Sequence, residues 1–133
     1  MIKLWNQTMP HRCVEDAFEP YLTPYDCDAA KTAIVVCPGG AYCGRADYEG
    51  NAIGITAFVL EYRVAPSKAP AQPSDAQRAM RLARKLCMER GIERLGIMGF
   101  SAGGHLAATL SVHYDEAFYP PQDELDNLSA CPD

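Results

Sequence analysis

The chain has 133 residues, 48% of them hydrophobic, and a formal net charge of −5. That size suits one soluble globular domain, and the acidic balance argues against nucleic acid or an anionic membrane surface as a partner. No apolar run approaches the ~18 residues of a transmembrane helix, and the opening Met1-Ile-Lys-Leu-Trp-Asn-Gln7 lacks signal-peptide regions, so a cytoplasmic location is expected.

In chain order, a strand signal falls at 2–5. A second lies in Lys31-Thr-Ala-Ile-Val-Val-Cys37, a β-branched run that ends abruptly at Pro38-Gly39-Gly40. A third follows at 55–60. The stretch 65–73 is Pro-rich and reads as a stiff connector within one domain. A helix is predicted from Ser74, which with Gln77 gives a capping-box pattern after Pro73. Its apolar positions Ala76, Ala79, Met80, Ala83, Leu86 and Cys87 repeat with helical spacing, and Gly91 offers a stop. Arg78, Arg81, Arg84 and Lys85 are expected to form a solvated outer face. The helix dipole alone accounts for Asp75 at the helix start. A fourth strand, 95–98, leads into a second helix from Ala102 to about Tyr114. Residues 115–133 carry Pro120-Pro121 and polar residues without a strand pattern. This alternation predicts an α/β domain over 1–133, a parallel sheet with flanking helices.

The six cysteines (13, 27, 37, 43, 87 and 131) contain no C-x-x-C and no zinc-like Cys/His spacing. Reduced thiols, with Cys37 and Cys87 as small buried hydrophobes, are therefore expected, with no metal and no cofactor.

The chemistry concentrates at Leu95-Gly-Ile-Met-Gly-Phe-Ser-Ala-Gly-Gly104. Here G-x-S-x-G sits between a strand and a helix, the context in which it marks a nucleophile elbow. A serine in so sharp a turn needs neighbours without a Cβ. The following helix aims its free N–H groups at the place where an oxyanion would form. Ser101 is the candidate nucleophile and the N–H of Ala102 a candidate oxyanion donor. The second donor is expected from the Gly-rich turn after the earlier strand, at Gly39, Gly40 or Ala41. A plain Gly-rich turn is the competing reading at each site.

The segments Val36-Cys-Pro-Gly-Gly-Ala-Tyr42, Ala57-Phe-Val-Leu-Glu-Tyr-Arg63, Asp75-Ala-Gln-Arg-Ala79 and Gly96-Ile-Met-Gly-Phe-Ser-Ala-Gly-Gly-His-Leu-Ala107 together resemble the α/β-hydrolase superfamily. The nearest likeness is to its bacterial acetyl-esterase and acetylxylan-esterase-like branch. Ile2-Lys-Leu-Trp5 and Leu22-Thr-Pro-Tyr25 resemble the branch's amino-terminal β region. The resemblance implies hydrolysis of small carboxylic esters, possibly on carbohydrate, by a Ser-His-Asp triad. Two departures stand out. Glu49–Gly54 is short where relatives carry an amphipathic helix, which leaves a cramped crossover. The superfamily places the triad acid and then the histidine after later strands, so a partial, truncated α/β-hydrolase fold is expected.

The chain's own histidines suit the base poorly. His105 lies one helical turn past Ser101, and His113 sits ~18 Å along the helix axis. Nothing in the sequence positions His11. Asp115, Asp123, Glu124 and Asp126 follow the serine without an identifiable partner. Two readings therefore stand: a serine esterase contributing nucleophile and oxyanion hole, or a non-catalytic remnant that binds ligand or pairs with another chain. Little turnover by the isolated chain and self-association through an exposed sheet edge are expected.

Overall fold

The computed structural model describes residues 1–6, 8–15, 17–39 and 54–133. The cramped crossover expected at 48–55 falls almost wholly outside the described residues. Five strands form one sheet: β1 (Ile2–Lys3), β2 (Tyr21–Tyr25), β3 (Thr32–Cys37), β4 (Ile55–Glu61) and β5 (Arg94–Gly99), in the order β1-β2-β4-β3-β5. β3 runs parallel to β4 and β5, with Val35 beside Phe58 on one side and Ile97 on the other. β1 and β2 are antiparallel additions, so the sheet is mixed rather than wholly parallel. The first strand is two residues long, not four.

Side chains alternate across a strand. Ala33, Val35 and Cys37, with Phe58, Leu60 and Leu95, therefore present one apolar face. Against it pack two helices, α1 (Ala71–Arg90) and α2 (Ala102–His113), through Ala76, Ala79, Met80 and Ala83 of the first and Leu106 and Leu110 of the second.

The helical spacing of the sequence is realised in α1, but its start is not where Ser74 and Gln77 placed it. The helix begins at Ala71 with Pro70 at the N-cap, and Pro73 falls in the first turn, where a missing N–H is harmless. Ser74 Oγ donates to the carbonyls of Pro70 and Phe118, and Gln77 Nε2 donates to those of Tyr114 and Glu116. No capping box forms. The far end behaves as expected: Gly91 adopts φ 67° and closes the helix.

Two charge readings are corrected by long-range pairing. Asp75 is fully buried and grips the buried Arg63 through both carboxylate oxygens at 2.7 and 2.8 Å, and Trp5 Nε1 donates to it at 2.9 Å. The carboxylate is held by a bidentate ion pair, not by the helix dipole alone. Arg78 is likewise fully buried. Its guanidinium meets both oxygens of Asp123 at 2.8 and 2.5 Å and lies 3.1 Å from Asp126. Arg81 reaches Tyr119 and Asp126, and Arg84 reaches Asp133 and the carbonyls of Ser129 and Cys131. Of the four basic residues, Lys85 alone stays in solvent as the sequence suggested, 56% exposed.

The segment after α2 is thus a strap laid along α1. It contains a 3-10 turn at Glu124–Asn127, capped by Asp123. The hydrogen bond from Arg78 holds the Asp123 carboxyl below its ordinary value. Burial works against the Asp126 carboxylate, but hydrogen bonds from Tyr119 and from the N–H groups of Gln122 and Asp123 outweigh it and lower its pKa. At its end the strap reaches the β5 edge. Leu95 N–H donates to the Asp133 carboxylate at 2.8 Å, and Asp133 N–H donates to Leu95 O at 2.9 Å. The edge that the sequence left bare is covered there.

Candidate active site

Where β5 hands over to α2, Ser101 takes φ 50° and ψ −120° and is exposed. A non-glycine residue at such angles costs on the order of 1–3 kcal/mol and persists only where its surroundings enforce it. The enforcing contacts are visible at the glycines. A Cβ on Gly99 would lie 2.1 Å from Gly103 O, and a Cβ on Gly103 would lie 2.1 Å from Cys37 O. The motif's glycines are there because backbone meets backbone. Ser101 occupies the N-cap of α2, a place where serine normally caps through its hydroxyl. Here it makes no side-chain cap bond. Among the described residues its Oγ has no hydrogen-bond partner at all.

The turn after β3 abuts this one. Phe100 N–H donates to Cys37 O at 3.1 Å. A Cβ on Gly39 would sit 2.2 Å from Phe100 O and 2.9 Å from Ser101 Cβ. Among the described residues neither the Gly39 N–H nor the Ala102 N–H has a hydrogen-bond partner. Two unpaired backbone donors therefore stand on touching turns beside an exposed hydroxyl, with the positive end of α2 behind them. Gly40 and Ala41, the other expected donors, lie outside the described residues.

The remaining candidates are not gathered here. His11 Nε2 lies 2.7 Å from Phe118 O, and His113 Nδ1 lies 2.6 Å from Glu116. His105 is exposed one turn along α2, its backbone N–H bonded to Ser101 O. Asp123 and Asp126 are committed to arginines of α1. Among the described residues no cluster of three or more His, Cys, Asp or Glu could hold a metal ion. Cys37, directly before Pro38-Gly39, is no second nucleophile, since burial pushes its thiol up to about 12. One contact had no sequence signal: Tyr62, just past β4, donates its hydroxyl to Pro38 O at 2.7 Å.

Comparison with known proteins identifies the family and the fold. The BD-FAE family model matches residues 21–127. Endo-1,4-beta-xylanase B of Butyrivibrio fibrisolvens is 32% identical over 98% of this chain, and acetylxylan esterase of Xylanibacter ruminicola is 33% identical over 66% of it. The chain spans 23% and 22% of those two proteins. Among solved structures, the acetyl ester-xyloside bifunctional hydrolase of Caldicellulosiruptor lactoaceticus superposes with a TM-score of 0.83 at 41% identity. That match covers all of this chain and 54% of the other. A thermophilic esterase of Thermogutta terrifontis matches with a TM-score of 0.70 at 24% identity over 89% of this chain and 48% of its own, a likeness of fold. The expected α/β-hydrolase-like fold and its acetylxylan-esterase relatives are thereby established.

Proposed function

We propose that this chain, which belongs to the BD-FAE family of α/β-hydrolase-like proteins, carries the nucleophile and oxyanion hole of a serine carboxylic-ester hydrolase. Its substrates are small acyl esters, with acetyl groups on carbohydrate the favoured class. The observation that carries this reading is the exposed, uncapped Ser101 at φ 50°, beside the unpaired N–H groups of Gly39 and Ala102. Ser101 Oγ attacks the ester carbonyl as its proton passes to a base, and the carbonyl oxygen becomes an oxyanion. Ala102 and Gly39 supply donors that hold it; Gly40 and Ala41, the alternative donors, lie outside the described residues. Collapse expels the alcohol, and water then releases the acid from the acyl-serine. The acetyl and carbohydrate preferences rest on the names of the relatives, an acetylxylan esterase and an acetyl ester-xyloside hydrolase.

The base is assigned to none of this chain's three histidines. His11 and His113 are held by partners of their own, and His105 stands on the helix that leaves the serine behind. Acid and base are sought in the part of the relatives' length that this chain does not span. The test is a chimaera in which this chain replaces the matched 54% of the Caldicellulosiruptor hydrolase. It is expected to hydrolyse p-nitrophenyl acetate, and Ser101→Ala should lower kcat by roughly 10⁴-fold or more. The 133-residue chain alone should turn over little, because an unassisted serine is a weak nucleophile. A chimaera indifferent to Ser101→Ala overturns the reading.

A further inference from the structure

The Pro38–Gly39 peptide is clamped from two sides. Tyr62, 7% exposed, donates its hydroxyl to the Pro38 carbonyl at 2.7 Å, and Gly103 of α2 packs against the same oxygen so closely that a Cβ there would lie 2.5 Å away. This bond is trans, since the cis peptide bonds among the described residues are those before Pro66 and Pro70. In a planar trans unit the carbonyl and the N–H point in opposite directions, so holding one aims the other. The N–H of that unit belongs to Gly39, which has no hydrogen-bond partner among the described residues and sits against the Phe100–Ser101 backbone.

We propose that Tyr62 is a positioning residue: through Pro38 its hydroxyl aims the Gly39 N–H at the oxyanion formed on Ser101. It does so without touching substrate. This deepens the hydrolase reading above and rests on it. A donor fixed before reaction spends nothing on reorganisation when charge develops, whereas a peptide free to rock contributes less. Burial, followed by the neighbouring Cys37 and Glu61, raises the phenol's pKa above its ordinary value, so it remains a donor throughout the neutral range. The plainer role, a tyrosine satisfying its hydroxyl on the nearest carbonyl, predicts a loss of stability but no selective loss of turnover.

The experiment uses the whole 133-residue chain, alone and within the chimaera. Thermal unfolding of both forms by circular dichroism sets a temperature at which wild type and Tyr62→Phe are fully folded, and p-nitrophenyl acetate kinetics are compared there. Removing an entire oxyanion donor costs ~10²–10³ in kcat; loosening one should cost about tenfold or more. KM should stay within about twofold, because the donor acts mainly in the transition state. An unchanged kcat, a rise in KM alone, or a variant unfolded at every temperature overturns the proposal. Activity that survives Ser101→Ala defeats the hydrolase reading itself and this inference with it. Activity that needs Ser101 but ignores Tyr62→Phe defeats the inference alone.

Discussion

Adding one methyl group at Gly103 tests whether steric contact between backbones shapes the site. A Cβ there would meet Cys37 O at 2.1 Å, about 0.9 Å inside the 3.0 Å limit that real Cβ atoms respect, and Pro38 O at 2.5 Å. Neither obstacle is the end of a flexible side chain, so β3 and the start of α2 must move apart. Gly103→Ala should therefore cost about 1–3 kcal/mol, towards the upper end, although alanine is worth about 1 kcal/mol more than glycine inside a helix. For a chain of this size the thermal midpoint should drop by about 5–15 °C. Gly96→Ala is the control. Its nearest neighbour, Ile34 Cγ1, would lie 3.9 Å away. That substitution should be neutral or stabilising by about 0.4–1 kcal/mol. Urea unfolding followed by the fluorescence of Trp5, the chain's one tryptophan, measures both. Equal stabilities for Gly103→Ala and Gly96→Ala would refute the close-approach account of the motif.

Three further outcomes follow from the strap and the core. Arg78→Met, which keeps the apolar stem but strips Asp123 and Asp126 of their guanidinium, should cost roughly 1.5–3 kcal/mol; limited proteolysis should then cut within 115–133. In the folded chain the hydrogen bond from Arg78 holds the Asp123 carboxyl, and against burial those from Tyr119 and the Gln122 and Asp123 N–H groups hold the Asp126 carboxyl, below the usual carboxylate value. The unfolded chain therefore binds more protons in that range, and stability should fall as the pH drops below about 4. In Asp123→Asn/Asp126→Asn this acid loss should be shallower, as urea midpoints at pH 3 and pH 6 would show. Burial that lifts the Cys37 thiol to about 12 should keep it unreactive to a thiol reagent in the native chain and release it on unfolding. Peptide mapping identifies the modified cysteines.

Local patterns foretold what local forces decide. β3, β4 and β5 were legible because β-branched and apolar runs bounded by glycine on one side have few alternatives. The Ser101 turn was legible because G-x-S-x-G is itself a steric requirement. β2 showed only through its family likeness, since Pro24 interrupts it; the strand tolerates the proline because β1 ends opposite Tyr21 and Leu22, leaving β2 an edge beyond them. Charge was misread wherever the partner was distant. Arg78 finds Asp123 across 45 residues, and Asp75 is shared by Arg63 and Trp5 across 12 and 70. No local period encodes such pairings. Tyr62 escaped notice for the same reason: its partner Pro38 lies 24 residues away, just past the end of the neighbouring parallel strand β3.

The central claim, that Ser101 is the residue which becomes covalently acylated, is tested most directly by mass mapping after reaction with a fluorophosphonate. Trypsin cuts after Arg94, so Ser101 lies on the peptide that starts at Leu95. In the chimaera the account predicts one stoichiometric adduct on Ser101, loss of esterase activity in step with labelling, and no adduct in Ser101→Ala. Activity lost while Ser101 stays unmodified, with the adduct on another residue of this chain, would contradict it.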